Sequence, residues 1–121
     1  PLVREVLAGA DIVIASDVTL IECARVLIRA VTLGDIAEAD AADRRAHLNA
    51  AAAHWNILRI DTEIVDRARQ PFPAEPVRTL DAIHLASALA ARSAIAGVEI
   101  LSLDDRIRTA ARQLGFGLQP E

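Results

Sequence analysis

Apolar and polar positions change period several times along the chain, and each change predicts an element. Leu2, Val3, Val6 and Leu7 recur at helical spacing, with Gly9 placed to stop the turn. Ile12 to Ala15 is an unbroken apolar run, the pattern of a strand covered on both faces in a parallel sheet. From about Leu20 to Val31 the helical period returns. Leu20, Cys23, Ala24, Leu27, Ile28 and Val31 make one apolar stripe, with Glu22, Arg25 and Arg29 off it. Ser16, Asp17 and Thr19 all offer caps for that helix. Beyond Gly34, Asp35 and Glu38 have capping-box spacing for an alanine-rich helix running to about His54. Ile57 to Ile60 predicts a second strand and Glu63 to Arg69 a short helix. Pro71, Pro73 and Pro76 then hold the chain extended.

The stretch from Arg78 to Arg92 organises the rest. Leu80, Ala82, Ile83, Leu85, Ala86, Ala88, Leu89 and Ala90 leave it almost no polar face, which predicts a helix buried inside the domain. Thr79 is placed to cap it, setting Asp81 in the first turn. Gly97 breaks the pattern, and Val98 to Leu103 is the strongest strand candidate. Asp104, at its end, caps a helix from Asp105 to Leu114, with Ile107, Ala110, Ala111 and Leu114 inward and Gly115 as the stop. Phe116 to Leu118 adds a last short strand. Strands alternating with helices predict an α/β fold, a mainly parallel sheet flanked by helices. Functional groups in such sheets gather beyond the carboxyl ends of the strands.

Composition narrows the picture. With 121 residues, 53% of them hydrophobic, the chain fits one domain with a full core. Aromatics are only 2%, so that core rests on aliphatic side chains and close helix approach. A single cysteine, Cys23, excludes an internal disulfide and a cysteine-based zinc site, and fits a reducing cytoplasm. No run reaches the roughly 18 apolar residues of a membrane span, and the first residues do not have the pattern of a signal peptide. The net charge of −4 argues against a general nucleic-acid coat, although all 13 basic residues are arginine.

Three acids merit comparison. Asp104 ends a strand, Glu22 lies about one turn into the helix after another, and Asp81 opens the organising helix. Each also has a structural explanation of its own. Thr19 and Glu22 have capping-box spacing, Asp104 is a helix cap, and a first-turn acid such as Asp81 complements the helix dipole. Asp61, Glu63 and Asp66 read as capping or solvated acids, and His84 as a packed core histidine. His47 and His54 lack a metal-ligand spacing with any nearby acid. Together, the three acids say more. Carboxylates within about 4–6 Å raise one another's pKa and need a cation between them. Oxygen donors without cysteine suit Mg²⁺ or Mn²⁺, which orients water and offsets charge on a phosphodiester under in-line attack.

The stretches SDVTLIECARVL, RTLDAIHLASALA and LSLDDRIRTAARQLG resemble three ordered signature segments of PIN-domain ribonucleases, most closely the VapC-type toxins of toxin–antitoxin pairs. The resemblance implies a PIN-like three-layer sandwich with a mainly parallel sheet flanked by helices. It matches Glu22, Asp81 and Asp104 to the family's metal-binding, catalytic acids. Ser102 matches a hydroxyl often found two places before the last acid, and Asp105 is a neighbour with a bearing on the site. One part of the pattern is missing. The family usually opens with a strand carrying an aspartate, in a stretch such as LDTSA, and nothing here matches it. Asp11 precedes the first strand and Asp17 follows it, so neither substitutes. The expectation is a single PIN-like domain over residues 1–121 that is N-terminally incomplete, with one of four ligand acids absent and a reduced metal affinity. That strand lies centrally in the family's sheet, between the segments that here are IVIAS and EILSL. Its place is then expected to be filled by a separate peptide, a neighbouring copy or a rearranged sheet.

The function implied is a Mg²⁺-dependent endoribonuclease (Mn²⁺ as an alternative), the toxin of a toxin–antitoxin pair. Its partners would be RNA, a cognate antitoxin and a second copy in a homodimer; it would be cytoplasmic and have no membrane partner. With one Trp, two Phe and no Tyr, base stacking carries little of the RNA recognition. Arg25, Arg29, Arg78 and Arg106 are the candidates for backbone contact. The alternative is an inactive or truncated module that retains only antitoxin binding. A small nucleotide-binding domain is disfavoured by the lack of a glycine-rich loop after a strand.

Overall fold

The computed structural model describes residues 2–121. In chain order the elements are α1 (Leu2–Gly9), β1 (Ile14–Ser16), α2 (Asp17–Thr32), α3 (Glu38–Ala52), β2 (Asn56–Leu58), α4 (Thr62–Ala68), α5 (Thr79–Ala94), β3 (Glu99–Leu101), α6 (Asp105–Gln113) and β4 (Gly117–Gln119). This is a mixed α/β fold with short parallel strands. The described chain forms two compact units: residues 12–59, and residues 60–121 with the leading segment through Asp11. Each unit holds one parallel strand pair, where a single mainly parallel sheet was expected.

In residues 12–59, β1 and β2 pair in parallel, Ile14 opposite Asn56 and Ser16 opposite Leu58. The strand runs into α2 without a loop, because buried Ser16 both ends β1 and caps the helix. Its hydroxyl accepts the Thr19 N–H at 3.3 Å. The helix therefore begins three residues before the position predicted from its apolar stripe. Gly34 closes it at φ +77°, donating its N–H to the Val31 carbonyl at 3.0 Å. The expected Asp35–Glu38 capping box does not form. Glu38 is the first helical residue behind Ala37, where a capping box needs its glutamate at the third. Glu38 instead faces Arg45 at 3.9 Å on the exposed surface. Ala41 is the hydrophobic residue fully out of water in this unit, and Ile28, expected inward, is exposed.

Residues 60–121 hold the larger core: Phe72, Ala82, Leu85, Ala110, Ala111 and Phe116, bordered by half-buried Leu89, Ile100 and Leu118. Asp61 caps α4 by accepting the Ile64 N–H at 3.0 Å. The proline-rich loop is closed by Glu75, whose carboxylate accepts the N–H groups of Phe72 and Val77, each at 2.7 Å. Arg67 and Arg92 lie over the rings of Phe72 and Phe116, 4.2 and 4.1 Å from the ring centres. Each also donates to a backbone carbonyl, Arg67 to Pro71 and Arg92 to Leu114. Planar, always-charged guanidiniums thus cover the two buried aromatics while keeping hydrogen-bond partners.

Helix α5 buries Ala82, Leu85, Ala86, Ser87 and Ala91, and the Ser87 hydroxyl donates to the Ile83 carbonyl at 2.7 Å. Its cap is Arg78 and not Thr79, so Asp81 is the third helical residue. Strands β3 and β4 pair in parallel, Glu99 opposite Gly117 and Leu101 opposite Gln119. Between α6 and β4, Gly115 turns the chain at φ +87°, a conformation other residues rarely adopt.

Leu85 is 0% exposed and Leu103 is 71% exposed. Leu85→Ala is expected to lower unfolding stability by about 2–5 kcal/mol, and Leu103→Ala by no more than about 0.5 kcal/mol. Urea unfolding of both variants checks this. Equal losses would contradict the assignment of Leu85 to the core.

Candidate metal centre

Asp81 is held by the buried side of α5. Ala82 and Leu85, beside it on the helix, are in the core, while Asp81 itself is half-buried. Among the described residues its carboxylate makes no hydrogen bond or ion pair. As the third residue of α5 it sits in the first turn, at the positive end of the helix dipole.

Asp104 is exposed at the junction of β3 and α6, and its geometry is set by local hydrogen bonds. Its Oδ1 accepts the Arg106 N–H at 2.8 Å, and its own N–H is accepted by Ser102 Oγ at 3.1 Å. The predicted capping role is therefore present. It engages one carboxylate oxygen and leaves Oδ2 available to a cation. Ser102, noted only as a matching hydroxyl, orients the Asp104 backbone. Asp105 is exposed in the first turn of α6.

Glu22 lies in α2, half-buried, beyond the first helical turn. The capping-box explanation for it falls, because the cap is Ser16 and the Thr19 N–H is already bound there. Its neighbour Cys23 has its thiol pKa pushed up by burial and, secondarily, by the Glu22 charge. Asp81 and Asp104 thus belong to one unit and Glu22 to the other. His84 is half-buried, whereas His47 and His54 are exposed. Arg25, Arg29, Arg78 and Arg106, the candidates for phosphate contact, are exposed as well.

Among the described residues no group of three or more His, Cys, Asp or Glu stands together as a metal-binding cluster. That does not conflict with magnesium chemistry, since Mg²⁺ is usually bound through one or two carboxylates with water and substrate phosphate completing the shell. Carboxylate oxygens are hard donors, of the kind that a hard divalent cation takes.

One arginine that ties the strand ends together escaped the sequence reading. Arg108, on α6, sends its guanidinium back to the strand ends. Nη1 donates to the Ser102 carbonyl at 2.9 Å and the Gln119 carbonyl at 3.3 Å, and Nη2 to the Pro120 carbonyl at 2.8 Å. No local pattern marks it, because two of its partners lie in the segment after α6.

The PIN domain family model matches residues 2–113. Ribonuclease VapC46 of Mycobacterium tuberculosis is 43% identical over 68 residues, which is 56% of this chain and 50% of that protein. The alignment thus spans half the length of that curated relative. No solved structure matches the chain. Because the family match covers nearly the whole sequence, Glu22, Asp81 and Asp104 included, the chain belongs to the PIN domain family.

Proposed function

We propose that this chain forms a metal-dependent endoribonuclease, the toxin component of a toxin–antitoxin pair. The observation that carries the reading is the family match across all three acids, supported by the likeness to a relative named as a ribonuclease. In this reading the two units make one PIN-like domain, as the span of the match suggests. Glu22, Asp81 and Asp104 are the metal ligands and catalytic acids, for Mg²⁺ with Mn²⁺ as substitute. A divalent ion held there would supply an activated water and offset charge developing on the phosphate.

The chain's own residues do the remaining work. The cap bond from Arg106 N–H restrains rotation of the Asp104 carboxylate and leaves Oδ2 as its oxygen for the ligand. The buried side of α5 keeps the Asp81 backbone in place, and the helix dipole eases the crowding of negative charge. Exposed Arg25, Arg29, Arg78 and Arg106 supply contacts to the RNA backbone, bidentate where a phosphate presents two oxygens. The antitoxin inhibits by placing an arginine among the carboxylates. The protein works in the cytoplasm as a homodimer. Among the described residues no helix is long and apolar enough to cross a membrane.

A fluorogenic RNA cleavage assay in Mg²⁺ tests the reading. Chelation with EDTA is expected to stop cleavage, and Asp81→Asn to slow it about 100-fold or more, roughly 3 kcal/mol of barrier. Cleavage that survives both would contradict it.

Asp104 should separate into two jobs. Asparagine caps a helix about as well as aspartate, so Asp104→Asn should keep stability within about 0.5 kcal/mol, while Asp104→Ala should lose about 1 kcal/mol. Both should lose cleavage. Urea unfolding run beside the RNA assay distinguishes the cap from the charge, and an active Asp104→Asn would remove Asp104 from the catalytic set.

A further inference from the structure

We propose that Arg108 is the positioning residue for Asp104, an inference that rests on reading Asp104 as a metal ligand. The segment joining β3 to α6 has little burial to hold it: Leu103 is 71% exposed and Asp104 is exposed too. Hydrogen bonds must therefore fix it, and they converge on Ser102. The Ser102 N–H donates to the Gln119 carbonyl at 3.1 Å, extending the β3–β4 ladder by one residue. The Ser102 Oγ accepts the Asp104 N–H. The Ser102 carbonyl accepts from Arg108 Nη1.

Arg108 is attached to the same segment at its other end as well. Its backbone N–H donates to the Asp104 carbonyl at 2.9 Å, in the first turn of α6. One residue therefore holds the carbonyls on both sides of Leu103 and ties them to Gln119 and Pro120 beyond β4. A guanidinium suits this task. It is always charged, presents donors in a rigid planar fork, and meets three carbonyl oxygens that have no other side-chain donor among the described residues. Lysine keeps the charge but replaces the fork with a single ammonium on a flexible stem. Arg108 does not touch the ion; it sets where the Asp104 carboxylate stands.

The test uses Mn²⁺ affinity, read by electron paramagnetic resonance, and amide hydrogen exchange, both far below the unfolding transition. Arg108→Ala is expected to weaken Mn²⁺ binding about tenfold, in the range for residues that support a ligand from behind. Exchange at the Arg106 amide, which reports the Asp104 cap, should quicken. The Ile64 amide, bound to the Asp61 cap in the same unit, should exchange as before; a general loosening would speed both. Arg108→Lys should fold and still bind Mn²⁺ several-fold more weakly, and it carries the test if the alanine variant is unfolded. Wild-type Mn²⁺ affinity in a folded Arg108 variant, with Asp104→Asn weakened, would overturn the role of Arg108 alone. Wild-type affinity in Asp104→Asn as well would overturn the reading of Asp104 and this inference with it.

Discussion

An apolar helix with almost no face for water has to be covered, and how α5 is covered determines much of what residues 60–121 can do. Its buried side is alanine around a single large residue, Leu85, so neighbouring backbones come close without bulky side chains to hold them apart. The remaining volume is filled by Phe72 and Phe116, each under an arginine that also binds a carbonyl. The functional consequence lies at the start of the helix. Asp81 directly precedes core residue Ala82, so its backbone is anchored by packing, while its carboxylate makes no hydrogen bond among the described residues. Rigid support behind an uncommitted acid is what a ligand position requires.

Asp104 is fixed by a different means. Packing secures Asp81, whereas hydrogen bonds secure Asp104: the helix cap on one oxygen, Ser102 on its N–H, and Arg108 across the strand ends. Such bonds are directional but individually worth only about 1 kcal/mol, so the junction depends on having several of them. Residues 12–59 give a third case. Ser16 serves as the end of β1, as buried polar residue and as helix cap, and Glu22 follows on a helix whose other apolar residues are half-buried or exposed.

The sequence was most informative where structure is local. The helices fall within a few residues of their predicted bounds, Asp104 caps α6 as its spacing implied, and Gly34 and Gly115 end their helices at positive φ. Capping was misread where a hydroxyl or acid near a helix start has the right spacing but the backbone turns helical earlier or later. Thr19 with Glu22 and Asp35 with Glu38 have capping-box spacing, but in both cases the helix begins at another residue. Thr79 likewise is the first helical residue behind Arg78, which makes no side-chain cap bond. Features that depend on distant segments left no trace. Phe72 sits among prolines with no periodicity to mark it as core, and Arg108 gains its role only when β4 comes alongside β3. Only the family resemblance singled out the three acids as a candidate set; the spacing of acids along the chain does not do so.

In the proposed function Glu22, Asp81 and Asp104 serve one divalent ion. The most direct measurement of this is a Mn²⁺ titration of the wild type, of Glu22→Gln, Asp81→Asn and Asp104→Asn, and of their pairwise combinations, followed by the signal of free Mn²⁺. A shared ion predicts one principal site per chain, weakened by every single substitution, with paired losses that do not add because the acids are coupled through it. Unchanged affinity in any one of the three single variants would contradict it.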